Sequence, residues 1–205
     1  MNYLAHAWLS FGNPEILVGN LISDFVKGKK KFDYPQGIQQ GIYLHRAIDD
    51  FTDHHAVTRQ AKSFFRTAYG LYSGALVDVV YDHFLANDPG QFPGQALASF
   101  AEGTYRQLAP YQALFPERFA RMFPYMQSQN WLYHYQFREG ILNSFTGLAR
   151  RAAYMPSPVM AGEILESQYK GLEACYYAFF PALKDFAHNY LQQLLNDPDS
   201  FNFAG

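Results

Sequence analysis

Three features of this 205-residue sequence predict an all-α fold. Apolar residues recur at helical spacing through most of the chain. Strand-like alternation closed by tight hairpin turns is absent from the sequence. The interruptions fall in Gly/Pro/Asn/Asp clusters of the kind that end helices: FGNPE, KGKKKFDYPQG, NDPGQFPG, LAPYQALFPE and MPSP. Hydrophobic residues make up 49% and aromatic residues 18% of the chain, so a core forms without help from disulfides. The length suits a single helical domain over 1–205.

The helices follow in order. A first segment, 3–10, carries His6 inside the apolar run NYLAHAWL. A second, 14–27, holds the apolar stretch Ile16 to Ile22 and projects Asp24 near its end. A third, 36–70, is long enough to be broken internally, with Asp53 or Thr58 capping the new start. The fourth, 73–87, is apolar almost all round through Leu76, Val77, Val79, Val80, Phe84 and Leu85, which predicts burial. Segments 93–108 and 116–153 come next, the latter interrupted at Pro124 or Asn130. The last, 158–196, reads as continuous through Ile164, Leu165, Gln168, Leu172, Tyr176 and Phe179, with Pro181 as a kink. The many Tyr and Phe residues after position 100 fit the core or, in part, a dimer surface, the core being the expected reading.

Composition excludes several classes of function. The single Cys175 rules out a disulfide framework and a Cys-rich zinc site, and points to the reducing cytoplasm. No stretch approaches the roughly 18–20 continuous apolar residues that span a bilayer. The start of the chain lacks the basic region of a secretory signal and has His6 in its apolar run. A net charge of −2 gives no general attraction to nucleic acid.

The polar chemistry is concentrated. Only 17% of residues are charged, yet GIYLHRAIDDFTDHH (41–55) contains three His, three Asp and one Arg, with no Lys or Glu. On a helix His45, Asp49 and Asp53 lie at i, i+4 and i+8 along one face. Arg46 and Asp50 form an adjacent i, i+4 pair, and His54 and His55 read as a solvated helix end. Asp78 and Asp82 repeat the spacing on the fourth segment, with His83 directly after. Two carboxylates on a buried helix demand cations, either Arg or a metal. Singly, His6 fits a core histidine, Asp24 a helix end and Asp53 a helix cap. Together, His6, Asp24, His45, Asp49, Asp53, Asp78, Asp82 and His83 all fall within the first 83 residues. That clustering points to a metal.

Imidazole and carboxylate ligands without thiolate favour Mn²⁺, Mg²⁺, Fe or catalytic Zn²⁺. Such an ion acidifies a bound water and polarises a phosphoryl oxygen. Arg46, and with it Arg150 and Arg151, suits bidentate contact with a phosphate. The parts suggest metal-assisted hydrolysis of a phosphoester.

The blocks MNYLAHAWLS, GNLISDFVKG, GIYLHRAIDDFTD, DVVYDHFL and QNWLYHY resemble, in order, the motifs of the acyl carrier protein phosphodiesterase family. The resemblance is densest over residues 1–85, weakens between about 87 and 128, and returns at Trp131 and in GLARRAAYM. It implies kinship to the all-helical, metal-dependent HD-domain phosphohydrolases. It also implies an activity: cleavage of the phosphodiester that joins 4′-phosphopantetheine to the serine of holo-acyl carrier protein. Mn²⁺ is the implied cofactor, with Mg²⁺ or Fe²⁺ as alternatives. The assignment expected from residues and resemblance together puts His6, Asp24, His45, Asp49, Asp82 and His83 around the metal. Arg46 then holds phosphate, and Asp53 and Asp78 orient groups or move protons.

The basic loop VKGKKK places Lys27, Lys29, Lys30 and Lys31 directly after Asp24, where they would steer and dock an acidic carrier protein. A solubilising surface loop is the alternative. Two other functions remain open from sequence. One is a metal-dependent phosphohydrolase of a small nucleotide or other phosphoester. The other is a non-catalytic helical module that binds an acidic partner.

Overall fold

A computed structural model describes residues 1–152 and 154–197 of the protein. Among them the chain forms eleven α-helices and no strand, as the helical periodicity predicts. Buried side chains from Met1 to Leu194 belong to one apolar core.

Helix α1 (Tyr3–Trp8) is shorter than the periodicity suggests, and α2 (Pro14–Ile22) stops well before residue 27. Asn13 caps α2 by accepting from the N–H groups of Glu15 and Ile16, with Pro14 in the first helical position. A 3₁₀ turn, Ser23–Phe25, tightens the end of α2 and turns Asp24 outward. A second 3₁₀ segment, Gly28–Asp33, holds the lysines.

The third segment is two helices, α3 (Gln36–His54) and α4 (Ala56–Tyr69). The break falls at His55, which leaves the helical region and accepts from the Val57 N–H through its ring. His55 is therefore the cap, in place of Asp53 or Thr58. Helix α5 (Ser73–Ala86) is buried almost all round and packs against α1, α4, α9 and α11. Its near-continuous apolar surface has this cause.

Helix α6 spans Ala96–Leu108, and the segment after it is three helices: α7 (Glu117–Ser128), α8 (Trp131–His134) and α9 (Arg138–Arg151). Asn130 makes the first interruption by entering the left-handed region (φ 45°, ψ 55°), which Asn tolerates better than most residues. Pro124 stays inside α7. The end of that segment, residue 153, lies outside the described residues.

The final segment is not continuous. It divides at Gln168 into α10 (Pro158–Ser167) and α11 (Tyr169–Asn196), with Pro181 inside α11. The bend lets α10 pack on α9 while α11 packs on α3, α4 and α5. Gly171 sits at the turn against Phe64, where a Cβ would lie 2.9 Å from the ring. Tyr81, Tyr176, Phe179 and Phe180 interlock here in the core, with the Tyr81 and Phe179 rings 5.2 Å apart. The late aromatics are core, as expected, apart from exposed Tyr177 and a few others.

One packing detail positions the site. Helices α2 and α3 meet backbone to backbone at Gly19 and Gly41, where a Cβ on Gly19 would lie 2.8 Å from Gly41 Cα. Any larger residue at either position would push the helices apart. The contact sets Asn20, next to Gly19, against His45, one turn beyond Gly41.

Candidate metal centre

Two helices bring His6 (α1), His45 and Asp49 (α3) together, and Asp24 joins them from the turn after α2. One ligand atom from each of His6, His45 and Asp49 lies within 4.8 Å of the others. Asp49 reaches both imidazoles, His6 Nε2 at 3.2 Å through Oδ1 and His45 Nε2 at 3.1 Å through Oδ2. Asp24 Oδ1 lies 3.3 Å from His45 Nε2 and is 70% exposed, at the mouth of the site. The two imidazole rings stack 4.0 Å apart.

Asn20 fixes both rings. Its Oδ1 faces His6 Nδ1 at 2.8 Å, and its backbone carbonyl faces His45 Nδ1 at 2.7 Å. The Asn20 amide nitrogen donates to the His6 carbonyl and to Ser10 Oγ, so Oδ1 is the acceptor. Oxygens of this kind only accept, and each Nδ1 must therefore carry the proton. In neutral rings both Nε2 lone pairs then point at the Asp49 carboxylate. Acceptor faces acceptor, which is stable only with a cation or an added proton between them.

The electrostatics follow from that arrangement. Burial disfavours the charged form of His45, but hydrogen bonds and charge from Asp24 and Asp49 outweigh it and push its pKa up to about 9. His6 goes the other way: burial and the charge on His45 push it down to about 4. His6 Nε2 is a buried nitrogen with no hydrogen-bond partner of good geometry, although Asp49 Oδ1 is 3.2 Å away. Burial raises Asp49, yet the Met1 ammonium, His6 and His45 hold its carboxyl far below the usual carboxylate range. The hydrogen bond from His45 lowers Asp24. A divalent cation fits this donor set: it would satisfy His6 Nε2, replace the proton on His45, and face the carboxylates of Asp49 and Asp24.

Asp78 stands beside the cluster. Its Oδ1 accepts from the Met1 ammonium at 3.0 Å, and the same ammonium reaches Asp49 at 3.3 Å. Burial lowers the ammonium pKa, but the two carboxylates reverse this and push it up to about 11.

Other residues expected at the site are engaged elsewhere. Asp82 accepts three backbone N–H groups, from Asn2, Leu4 and Ala5, the shortest at 2.7 Å. It therefore caps α1 across the core, and burial pushes its pKa up to about 7 against the pull of Met1 and these N–H groups. His83 is held by the Tyr135 carbonyl at 2.7 Å and the Tyr169 hydroxyl at 2.9 Å, both nitrogens used. Asp82 and His83 thus do not reach the cluster as ligands: adjacent helical residues point about 100° apart, and here they diverge.

Asp53 pairs with Lys62 at 2.7 Å on the surface. Arg46 donates to the Val26 carbonyl and pins the loop after Asp24, and Asp50 pairs with His54 instead of Arg46. Lys31 is buried over the Phe32 and Tyr43 rings and is not part of the exposed basic edge. Lys27, Lys29 and Lys30 are exposed beside Asp24.

Asn20 is the residue that sequence reasoning missed. It is the one amide in the apolar run ILVGNLI, and a buried amide implies partners. The Met1 ammonium gave no sequence signal.

The described residues thus form an all-helical domain with two buried imidazoles and the partly exposed carboxylates of Asp24 and Asp49, a donor set of the kind metal-dependent hydrolases use. The sequence comparisons narrow this. A family model described as acyl carrier protein phosphodiesterase matches residues 1–183. Proteins of that name are similar to most of the chain. The one from Klebsiella pneumoniae (strain 342) is 34% identical over 190 residues, 92% of this chain and 98% of the relative. The Yersinia pestis protein is 32% identical, covering 89% and 95%, and that of Photorhabdus laumondii 30% identical, covering 92% and 96%. No solved structure matches. The chain belongs to the acyl carrier protein phosphodiesterase family.

Proposed function

We propose that this protein hydrolyses the phosphodiester between 4′-phosphopantetheine and the serine of holo-acyl carrier protein, with Mn²⁺ as its cofactor. Water adds across the P–O bond: its oxygen joins phosphorus, and the serine oxygen leaves and takes a proton. The products are apo-carrier and free 4′-phosphopantetheine. The reading rests on family membership and on one observation: two imidazoles, each anchored through Nδ1, turn Nε2 toward the same carboxylate.

His6, His45 and Asp49 would hold the ion. When bound there, a divalent cation supplies positive charge to the phosphoryl oxygens and acidifies water. Asn20 keeps both rings in the tautomer that leaves Nε2 open. Asp24, exposed at the mouth and 3.3 Å from His45, would orient water or carry its proton. Asp78 holds the Met1 ammonium beside Asp49. Lys27, Lys29 and Lys30 give an acidic carrier a complementary edge close to Asp24. The reaction belongs in the cytoplasm, in keeping with a single, buried cysteine. Among the described residues no helix is long and apolar enough to cross a membrane.

Intact-protein mass spectrometry of holo-acyl carrier protein, incubated with this protein and Mn²⁺ or with a chelator, tests the reading. The expected result is metal-dependent loss of the phosphopantetheine mass. An unchanged carrier, with the metal shown to be bound, would move the substrate to a small phosphoester. An unchanged carrier and no bound metal would leave a carrier-binding module.

A further inference from the structure

A cavity of about 700 Å³ opens between the start of α1 and helices α7, α8 and α9. That volume is within the roughly 300–1,000 Å³ of small-molecule sites. Its walls differ in chemistry. Tyr3 and Trp131 supply an aromatic side, with ring centroids 6.5 Å apart. Asn143 and Ser144 supply amide and hydroxyl groups from α9. Arg150 and Arg151 supply two cations at the end of α9.

The cavity is joined to the cluster through α1. Asn2 and Tyr3 line it, and the flanking Met1 ammonium holds Asp49 and Asp78. His6 lies one turn further along the same helix. Tyr3 links the two sides electrostatically: burial pushes its hydroxyl up to about 12, Asp24 adds to that rise, and Arg151 opposes it. Tyr3 and Arg151 thus stand together in the cavity wall, on the side that α1 joins to the cluster.

We infer that this cavity receives the 4′-phosphopantetheine arm, with Arg151 gripping its phosphate end and Tyr3, Trp131, Asn143 and Ser144 enclosing the chain. The inference rests on the hydrolytic reading above and adds the site that selects the arm. An arm of this kind is an extended chain with a phosphate at one end, amide groups along it and apolar carbons between. Each class of group has a counterpart in the walls. Arg151 keeps one guanidinium nitrogen on the Gly147 carbonyl at 3.1 Å, which fixes its direction. The remaining nitrogens form the fork that suits phosphate.

Calorimetric titration of the full chain with free 4′-phosphopantetheine, and with pantetheine, which lacks the phosphate, tests this. Gly147 lines the cavity, and a Cβ there meets nothing within 4 Å, so Gly147→Trp adds bulk without a backbone clash. Ser144→Tyr is a second obstruction should the first fail to fold, folding being read from the melting curve. The wild type is expected to bind 4′-phosphopantetheine, and either obstruction to weaken it at least 10-fold. Arg151→Gln should weaken 4′-phosphopantetheine about 5-fold or more and leave pantetheine unchanged. No binding by the wild type, or wild-type binding by a folded obstructed variant, would overturn the inference. Carrier turnover is scored separately by mass. Turnover together with unobstructed binding removes the cavity and keeps the hydrolytic reading. Obstructable binding without turnover does the reverse.

Discussion

Helices α3 and α5 carry the same chemistry at the same spacing and use it differently. On α3, His45 and Asp49 face Asp24 and His6, and His6 Nε2 has no hydrogen-bond partner. On α5, Asp82 is saturated by three backbone N–H groups, and both nitrogens of His83 are bonded. A His/Asp pair is thus not a site by composition. It becomes one where the polar atoms are left facing each other, and it becomes scaffold where the backbone answers them.

The contrast is broken most directly at Asp49. Asp49→Asn should lower the rate of carrier hydrolysis about 1,000-fold, equivalent to about 4 kcal/mol, with helicity retained. Initial rates by mass spectrometry check it, and near-normal turnover would refute the cluster as the reacting centre. Asp82→Ala should act on folding. It strands buried N–H groups at the start of α1 and is expected to cost about 3 kcal/mol, read as a lower urea midpoint.

His83 sharpens the same point through pH. Burial pushes its pKa down to about 4 in the folded protein, against about 6.5 in an unfolded chain. The unfolded state therefore binds more protons between these values. Stability is full above about pH 6.5 and falls as pH drops towards 4, by up to about 3 kcal/mol. His83→Gln should flatten that part of the stability profile in urea titrations at several pH values. An unaltered slope would mean that the ring is not held neutral.

Asn20 belongs to the first region although it would touch no ion. Asn20→Ala frees both rings and should cost about 10- to 100-fold in activity or metal affinity, measured by turnover and metal titration. The smallest effect is expected at Asp53. Its pair with Lys62 is on the surface, so Asp53→Asn should shift stability by less than about 0.5 kcal/mol and turnover by less than about twofold. A large loss of turnover would return Asp53 to the site.

Much of this was legible in the sequence. Helical period and the apolar surround of α5 gave the fold class and the most buried helix. The i, i+4 spacing of His45 and Asp49, and the lone His6 in an apolar run, pointed to residues that do converge. Boundaries were less legible. The breaks at His55 and Gln168 come from where each helix finds a partner, and local propensity is weak beside that burial.

The sequence by itself determined which helices form, which faces are apolar and which residues have metal-binding chemistry, because these follow from local spacing. Only the tertiary structure decided that Asp24 and His6 join α3, that Asp82 caps α1 and that Lys31 is buried. Those outcomes depend on direction as well as spacing. Gly19 against Gly41 sets the depth at which α2 meets α3, and so whether Asn20 reaches both imidazoles. A contact between residues 25 positions apart leaves no mark in the periodicity of either helix.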